Sequence, residues 1–229
     1  MERSHIISLV SHEMKTPVST ISGYADIIRN GMANEETTHR YADNIFTEAM
    51  RMGKLIDDMV YILKYNNNEL FPELDNKTIK KIVLRAVAKI EAQYAEKYKL
   101  DIQVSGNATS MIDEYMLEEV LFKLLENAIL YGDNQHKQDA TLPYASISVD
   151  ISLAGTRAKI VVKDEGKGMS EECLEKACDE FYRADKRHSR SIGCNGLGLS
   201  VVKVIIAAHG GTFEIDSKEG CGTTITIVI

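Results

Sequence analysis

Between Ile7 and Ile28 the apolar residues stand three and four positions apart, at Ile7, Val10, Met14, Val18, Ile21, Ala25 and Ile28. That is the spacing of one stripe along an α-helix, and neither a strand nor a loop can bury it. Asn30-Gly31 supplies a C-terminal stop. A second stripe follows at Tyr41 or Ala42, Ile45, Ala49, Met52, Ile56, Met59 and Leu63, and ends at the polar Asn66-Asn67-Asn68. The two stripes predict an antiparallel helical hairpin. Helices of about 28 residues, each about 40 Å long at 1.5 Å per residue, cannot cover such stripes against one another alone. A second hairpin from another copy of the chain would complete a four-helix bundle, so a homodimer is expected.

Pro72 marks a change of pattern. Beyond it the spacings predict a helix from about Thr78 to Lys97, a short strand from Leu100 to Val104, and a helix from about Glu114 to Tyr131. The last would bury Leu117, Val120, Leu121, Leu124, Leu125 and Ala128. Two alternating stretches, Ala145 to Leu153 and Arg157 to Lys163, flank Ala154-Gly155-Thr156 as a β-hairpin. A glycine-rich region then leads to a helix from Gly198 to Ala208 and to strands from Thr212 to Asp216 and Thr223 to Ile229. This order predicts an α+β chain. The helical hairpin occupies 1–70, and over 75–229 an α/β sandwich follows, a mixed and mainly antiparallel sheet covered by three helices.

Charge and composition remove several classes of function. Lys and Arg number 27 against 34 Asp and Glu, a net charge of -7, so there is no general basic surface for nucleic-acid phosphates. No apolar run approaches the roughly 20 residues that cross a bilayer, so no membrane contact is expected of this stretch. The four cysteines, Cys173, Cys178, Cys194 and Cys221, show no C-x-x-C spacing, which suits a reduced cytoplasm.

The chemistry begins at Ser11-His12-Glu13-Met14-Lys15-Thr16-Pro17, inside the first predicted helix. Pro17 lacks the N–H that would bond the Glu13 carbonyl, a cost of about 3 kcal/mol in a helix interior. His12 lies off the apolar stripe and should face solvent, with Glu13 beside it and Thr16 one turn along. A neutral imidazole is a competent nucleophile near neutral pH, and a carboxylate receiving its second proton raises its reactivity. Taken alone, His12 reads first as a solvated surface histidine, and it is the surrounding residues that reverse that reading.

Those seven residues resemble the H-box of sensor histidine kinases, in which a helical hairpin dimerises and carries the phosphorylated histidine. Further motifs are similar to the family's in order and spacing. Leu124-Leu125-Glu126-Asn127-Ala128 resembles its N-box, Asp164-Glu165-Gly166-Lys167-Gly168-Met169 its first glycine box, and Phe181-Tyr182-Arg183-Ala184-Asp185 its F-box. Gly193-Cys194-Asn195-Gly196-Leu197-Gly198-Leu199 resembles its second glycine box, followed by His209-Gly210-Gly211 and Gly220-Cys221-Gly222-Thr223-Thr224. The resemblance implies ATP and Mg2+ as cofactors, autophosphorylation of His12 with Glu13 as proton acceptor, and a response regulator receiver domain as partner. It implies that Thr16 orients water for dephosphorylating that regulator. Asn127 would hold the magnesium, Tyr131 would line the nucleotide pocket, Arg183 would contact phosphate, and Phe181 would anchor a lid spanning Arg183 to Asn195. The nucleotide-binding set is completed by Asp164, Gly166, Gly168, Met169, Gly196, Leu197, Gly198, Leu199 and Thr224. A sensor domain and membrane helix are expected upstream, making this the cytoplasmic portion of a longer protein.

Elementary chemistry agrees with the second half of that set. An Asp followed by Gly-x-Gly lets a carboxylate accept an adenine amino proton while glycine backbone approaches the ring, although Asp164 also reads as an ordinary turn residue. Gly193 to Gly198 opens a helix whose free N–H groups can meet phosphates. Asn127 otherwise reads as a hydrogen-bonded buried amide, and Tyr131 and Phe181 as packing residues.

Two positions depart from the family pattern. Lys123 stands where the family usually has Asn, and Leu130 where it usually has Lys or Arg, which predicts a basic charge moved to the other end of the phosphate site; the alternative is a Lys123 pointing to solvent. The chain could instead be an ATP-binding dimeric scaffold without phosphotransfer. A related gyrase- or chaperone-type ATPase would need a glutamate base where Lys123 stands. The segment from Gly132 to Tyr144 reads as a polar surface insertion.

Overall fold

The structure, a computed structural model, describes residues 2–132, 142–184 and 194–229, with side chains from residue 9 onward. The chain forms two compact units, one holding the helical hairpin as far as Val60 and a second that begins at Tyr61 and holds the α/β elements.

In the first unit α1 spans Glu2–Arg29, and α2, which spans Glu35–Asn66, runs on into the second. Gly31, at φ 65, turns the chain after α1, with Met32 N–H donating to the Ile27 carbonyl. Asn34 caps α2 through its side chain, accepting from Thr37 N–H at 2.8 Å. Tyr24 and Tyr41 stack across the hairpin with centroids 4.8 Å apart. The hairpin departs from the predicted stripes. Val18 and Ala25 on α1, and Ala42, Ala49, Ile56 and Leu63 on α2, are exposed, while Pro17 is buried and Glu13, Thr20 and Tyr24 are half-buried. A straight helix has about 3.6 residues per turn, so a seven-residue stripe drifts about 20° per heptad and passes off the contact face.

The second unit begins with a small two-stranded sheet in which β1 (Asp75–Thr78) pairs antiparallel with β3 (Thr109–Ile112). Between them lie α3 (Ile79–Tyr94) and β2 (Lys99–Gly106). Then come α4 (Glu114–Leu130), β4 (Tyr144–Ala154), β5 (Arg157–Asp164), the short α5 (Glu171–Lys176), α6 (Gly198–Ala208), β6 (Thr212–Ser217) and β7 (Thr223–Val228). The main sheet has the order β2-β4-β5-β7-β6, with β2 and β4 parallel and every other pair antiparallel. This is the mixed, mainly antiparallel sheet the sequence predicts. Sequence reasoning missed β1 and β3, because Asp75-Asn76-Lys77-Thr78 is polar and carries no period-two signal, and it missed the six-residue α5.

Alternate residues of the sheet, Ala145, Ile147, Val149 and Ile151 on β4 and Ala158, Ile160 and Val162 on β5, face inward. Over them pack Ile82, Val83, Ala86 and Ile90 of α3, Leu117, Leu121, Leu124 and Leu125 of α4, and Val201, Val202, Ile205 and Ile206 of α6, all essentially buried. Each buried Leu or Ile contributes about 1.5–3 kcal/mol. That core places the end of α4, the end of β5 and the start of α6 at one edge of the unit.

Candidate functional site

Asp164 is the last residue of β5. Its Oδ1 accepts from Gly166 N–H at 2.8 Å and from Thr223 N–H at 3.2 Å. Burial raises the carboxyl above its ordinary value, against these two N–H groups that pull it down. Both bonds fall on one oxygen, so among the described residues Oδ2 is the atom left for an outside donor such as an exocyclic amine. Gly166 lies so close to the Tyr131 carbonyl that a Cβ there would sit 2.6 Å from it. Gly222 has φ 80, and a Cβ on it would meet the Asp164 carbonyl at 2.1 Å, so glycine is required to let the β6–β7 turn close against the aspartate. Gly168 lies against the Lys218 carbonyl, and Met169 N–H donates to Ser217 Oγ at 2.9 Å. The Lys167 ammonium stands 5.3 Å from the Tyr131 ring centroid, and Lys167 N–H donates to the Tyr131 carbonyl at 3.3 Å.

Asn127 sits near the C-terminal end of α4, half-buried, and a Cβ on Gly198 would lie 3.7 Å from its Nδ2 and 3.8 Å from its Oδ1. Its amide therefore faces the first turn of α6, where unpaired N–H groups and the positive end of the helix dipole favour an anion. A neutral oxygen ligand beside a phosphate-binding helix start fits magnesium, which keeps several waters and takes oxygens from the nucleotide. Among the described residues no three His, Cys, Asp or Glu side chains could form a metal cage of their own. Leu197 is fully buried ahead of Gly198, and Leu199 is half-buried. Phe181 has φ 63, a strained conformation for an aromatic residue. Its N–H donates to the Gly196 carbonyl at 2.9 Å, and Gly196, at φ 77, packs against the Phe181 and Tyr182 backbone. Arg183 is 9% exposed.

Thr224 lies in β7 opposite Lys163 and Asp216, whereas Thr223 supplies the N–H to Asp164. Ser217 Oγ lies 3.0 Å from Thr223 Oγ1 and donates to the Gly222 carbonyl at 3.0 Å. Sequence reasoning missed Ser217, whose role depends on a turn that only the fold creates. Lys123 is buried and pairs with Glu119 at 3.1 Å, one turn back along α4. Its burial corrects the solvent-facing alternative. Leu130 is buried in the core. The polar insertion at 133–141 and most of the expected lid, 185–193, lie outside the described residues. A surface cavity lined by Lys77, Lys81, Arg85 and Glu114 contains none of the predicted site residues, and its Lys77 and Arg85 already pair with Glu114.

On α1 the His12 side chain is 73% exposed, and its Nδ1 stands 3.7 Å from Glu13 Oε1, a contact longer than a hydrogen bond. Thr16 is exposed one turn along. The helix continues through Pro17, and Ser19 Oγ and Thr20 Oγ1 donate to the carbonyls of Lys15 and Thr16 at 2.8 and 3.1 Å. These are back-bonds of one turn to the carbonyls of their own helix, and neither reaches the Glu13 carbonyl that Pro17 leaves without its helix donor.

Comparison with known proteins identifies the class. Residues 112–229 match the family model of histidine kinase-, DNA gyrase B-, and HSP90-like ATPases, and residues 2–67 match the His Kinase A phospho-acceptor domain. The chain therefore belongs to the histidine kinase-, gyrase B- and HSP90-like ATPase family, and the two domains together make it a sensor histidine kinase core. It is 31% identical over 234 residues to the sensor-like histidine kinase SenX3 of Mycobacterium tuberculosis, covering 99% of this chain and 53% of SenX3. To the sensor histidine kinase WalK of Bacillus subtilis it is 29% identical, covering 100% of this chain and 36% of WalK. The chain thus spans about half, or less, of the length of these curated relatives. In fold it is similar to the histidine kinase AdeS of Acinetobacter baumannii, with TM-score 0.73, 20% identity, and 95% and 96% of the two chains covered. Histidine kinase ThkA, solved in complex with response regulator protein TrrA, has TM-score 0.72 at 20% identity over 98% of this chain and 60% of that one.

Proposed function

We propose that this chain is an ATP-dependent autokinase that phosphorylates His12 and passes the phosphoryl group to an aspartate of a response regulator receiver domain. The observation that carries the reading is the exposed imidazole of His12 with its Nδ1 turned to Glu13, on a chain whose second unit holds an adenine-type carboxylate and a phosphate-type helix start. The regulator as partner is supported by the ThkA complex with TrrA, and ATP by the full-length ShkA structure in complex with AMPPNP, a fold neighbour at TM-score 0.68 and 19% identity, covering 98% of this chain and 45% of that one.

Asp164 Oδ2 accepts the adenine amino proton, Tyr131 packs against the base, and the α6 N-terminus with Arg183 receives phosphates. Asn127 would hold magnesium, whose charge would offset that of the phosphates when bound. Since Glu13 faces Nδ1, the attacking atom is Nε2: an N–P bond forms, the bond from the γ-phosphorus to the bridging oxygen breaks, ADP leaves, and the Nδ1 proton passes to Glu13. Thr16, one turn from His12, orients a water for the reverse task of dephosphorylating the regulator. The functional domains are 1–70 and 75–229, the hairpin pairing with a second copy, and the protein acts in the cytoplasm.

Incubation with magnesium and γ-labelled ATP tests this. Acid-labile, base-stable label on the wild type and none on His12→Ala is the expected result. Nucleotide binding without any label would favour a scaffold instead.

A further inference from the structure

Gly222 and Thr223 share one peptide group, and its two ends are held by different side chains. The Gly222 carbonyl accepts from Ser217 Oγ at 3.0 Å, and the Thr223 N–H donates to Asp164 Oδ1 at 3.2 Å. A trans peptide group is planar, with its C=O and N–H pointing in opposite directions, so a partner that fixes one end aims the other. Gly222, at φ 80 and without a Cβ, is the residue about which such a plane turns over with least hindrance. Turned over, the group would present a carbonyl oxygen to the carboxylate in place of an N–H.

Ser217 stands opposite Thr223 in the β6–β7 ladder. Its hydroxyl has one proton and two lone pairs. The Gly222 carbonyl can only accept, so it takes the Ser217 proton. The Thr223 hydroxyl, 3.0 Å from Ser217 Oγ, is then the donor of that pair, and Met169 N–H fills the other lone pair at 2.9 Å. All three capacities of the Ser217 hydroxyl are used within this cluster. Gly220 N–H donates to the Lys167 carbonyl at 2.7 Å, which latches the turn to the loop after β5 at a second point.

We propose that Ser217 is a positioning residue for base recognition: by holding the Gly222 carbonyl it keeps the Thr223 N–H on Asp164 Oδ1 and leaves Oδ2 as the oxygen that receives a purine amine. This rests on the nucleotide reading above and deepens it. A 6-amino purine then finds an acceptor, whereas a 6-oxo purine sets one acceptor against another. Burial raises the Asp164 carboxyl and its two N–H partners lower it. The charged side chains around it add nothing to that shift: Lys163 of β5, Glu165 and Lys167 of the loop, Asp216 of β6, and Lys218 and Glu219 of the turn.

Three variants of the full chain separate this role from plain stabilisation of the turn. Ser217→Ala removes the hydroxyl, Ser217→Cys keeps the volume with only a weak donor should alanine not fold, and Ser217→Thr keeps the hydroxyl. Titration calorimetry across pH compares ADP with inosine diphosphate, which carries an oxo group in place of the amine. The wild type should prefer ADP. In Ser217→Ala and Ser217→Cys that preference should fall by about three- to tenfold, through ADP alone. Losing the Thr223 N–H, which pulls the Asp164 carboxyl down, should also move the acid loss of ADP binding to higher pH. Ser217→Thr should retain both the preference and the pH profile. An unchanged preference in the alanine and cysteine variants, equal weakening of both nucleotides with the pH profile in place, or a threonine variant as impaired as alanine would each overturn the proposal. A wild type that does not prefer ADP would overturn the nucleotide reading itself, whereas a selective wild type with indifferent variants overturns the role of Ser217 alone.

Discussion

Asp164 sets nucleotide recognition and fold stability against each other. Burial raises its carboxyl above the ordinary 3.8, so the folded state favours the protonated form. The folded pKa exceeds the unfolded one, and stability is therefore lost as pH rises through the folded value and remains depressed at neutral pH. Asparagine keeps Oδ1 as acceptor for Gly166 and Thr223 without the buried charge, so Asp164→Asn should raise the melting temperature at pH 7. It should also weaken ADP binding by about 10- to 150-fold, the worth of a hydrogen bond to a charged group at about 1.5–3 kcal/mol. In the wild type, ADP affinity should fall with acid at a higher pH than an ordinary aspartate would give, because with both backbone N–H groups on Oδ1 the added proton sits on Oδ2, the oxygen that receives the adenine amine, and removes the charge that strengthens that bond. Calorimetric titration across pH on both proteins checks this, and a pH-independent wild type would refute the assignment. Gly222→Ala attacks the same contact from the other side. With a Cβ 2.1 Å from the Asp164 carbonyl at φ 80, it should destabilise the unit by about 1–3 kcal/mol and lower ADP affinity, as thermal unfolding and titration would show.

At the scale of the element, Pro17 is a place where local propensity and fold disagree. Among the described side chains of α1 it is the buried one, so its ring packs where its missing N–H costs the helix. Pro17→Ala restores a donor for the Glu13 carbonyl and loses part of that packing. A net gain of about 1–2 kcal/mol in hairpin stability is expected from these opposing terms, with slower labelling of His12 as the turn carrying Glu13 straightens. A lower melting temperature would show instead that packing outweighs the helix bond. Elements buried on one face were readable beforehand: α3, α4 and α6, and the β4–β5 hairpin, stand within about three residues of their predicted limits because period and burial coincide. β1 and β3 were not, since a polar four-residue strand is specified by its partner rather than its own pattern. The candidate site divides the same way. Asp164 and the glycines announce themselves as a local motif, while Ser217 and Thr223 reach Met169 and Asp164 across 48 and 59 residues of chain, a proximity only the β6–β7 turn produces.

For the molecule as a whole, the exposed side of the hairpin is the largest remaining debt of the fold. Phe46, Met50, Ile56, Val60 and Leu63 of α2 are 68, 56, 47, 42 and 43% exposed, and they follow one another at near-heptad spacing with Gly53 between them. Sequence reasoning placed Ile56 and Leu63 inside a single hairpin stripe, but α2 carries two apolar faces, one turned to α1 and one left for another helix. A second copy of the same hairpin presents an identical face, and a two-fold pairing would bury both at once. Apolar side chains of this size contribute about 1.5–3 kcal/mol each on full burial, enough across several positions to hold a dimer at micromolar concentration. Phe46→Glu combined with Met50→Glu places four like charges in that interface per dimer, none of them in the nucleotide unit. The double variant should sediment as a monomer where the wild type sediments as a dimer, lose helical signal from the hairpin, and bind ADP unchanged. A variant that remains dimeric would show that α2 meets some other partner, and that the copies associate elsewhere.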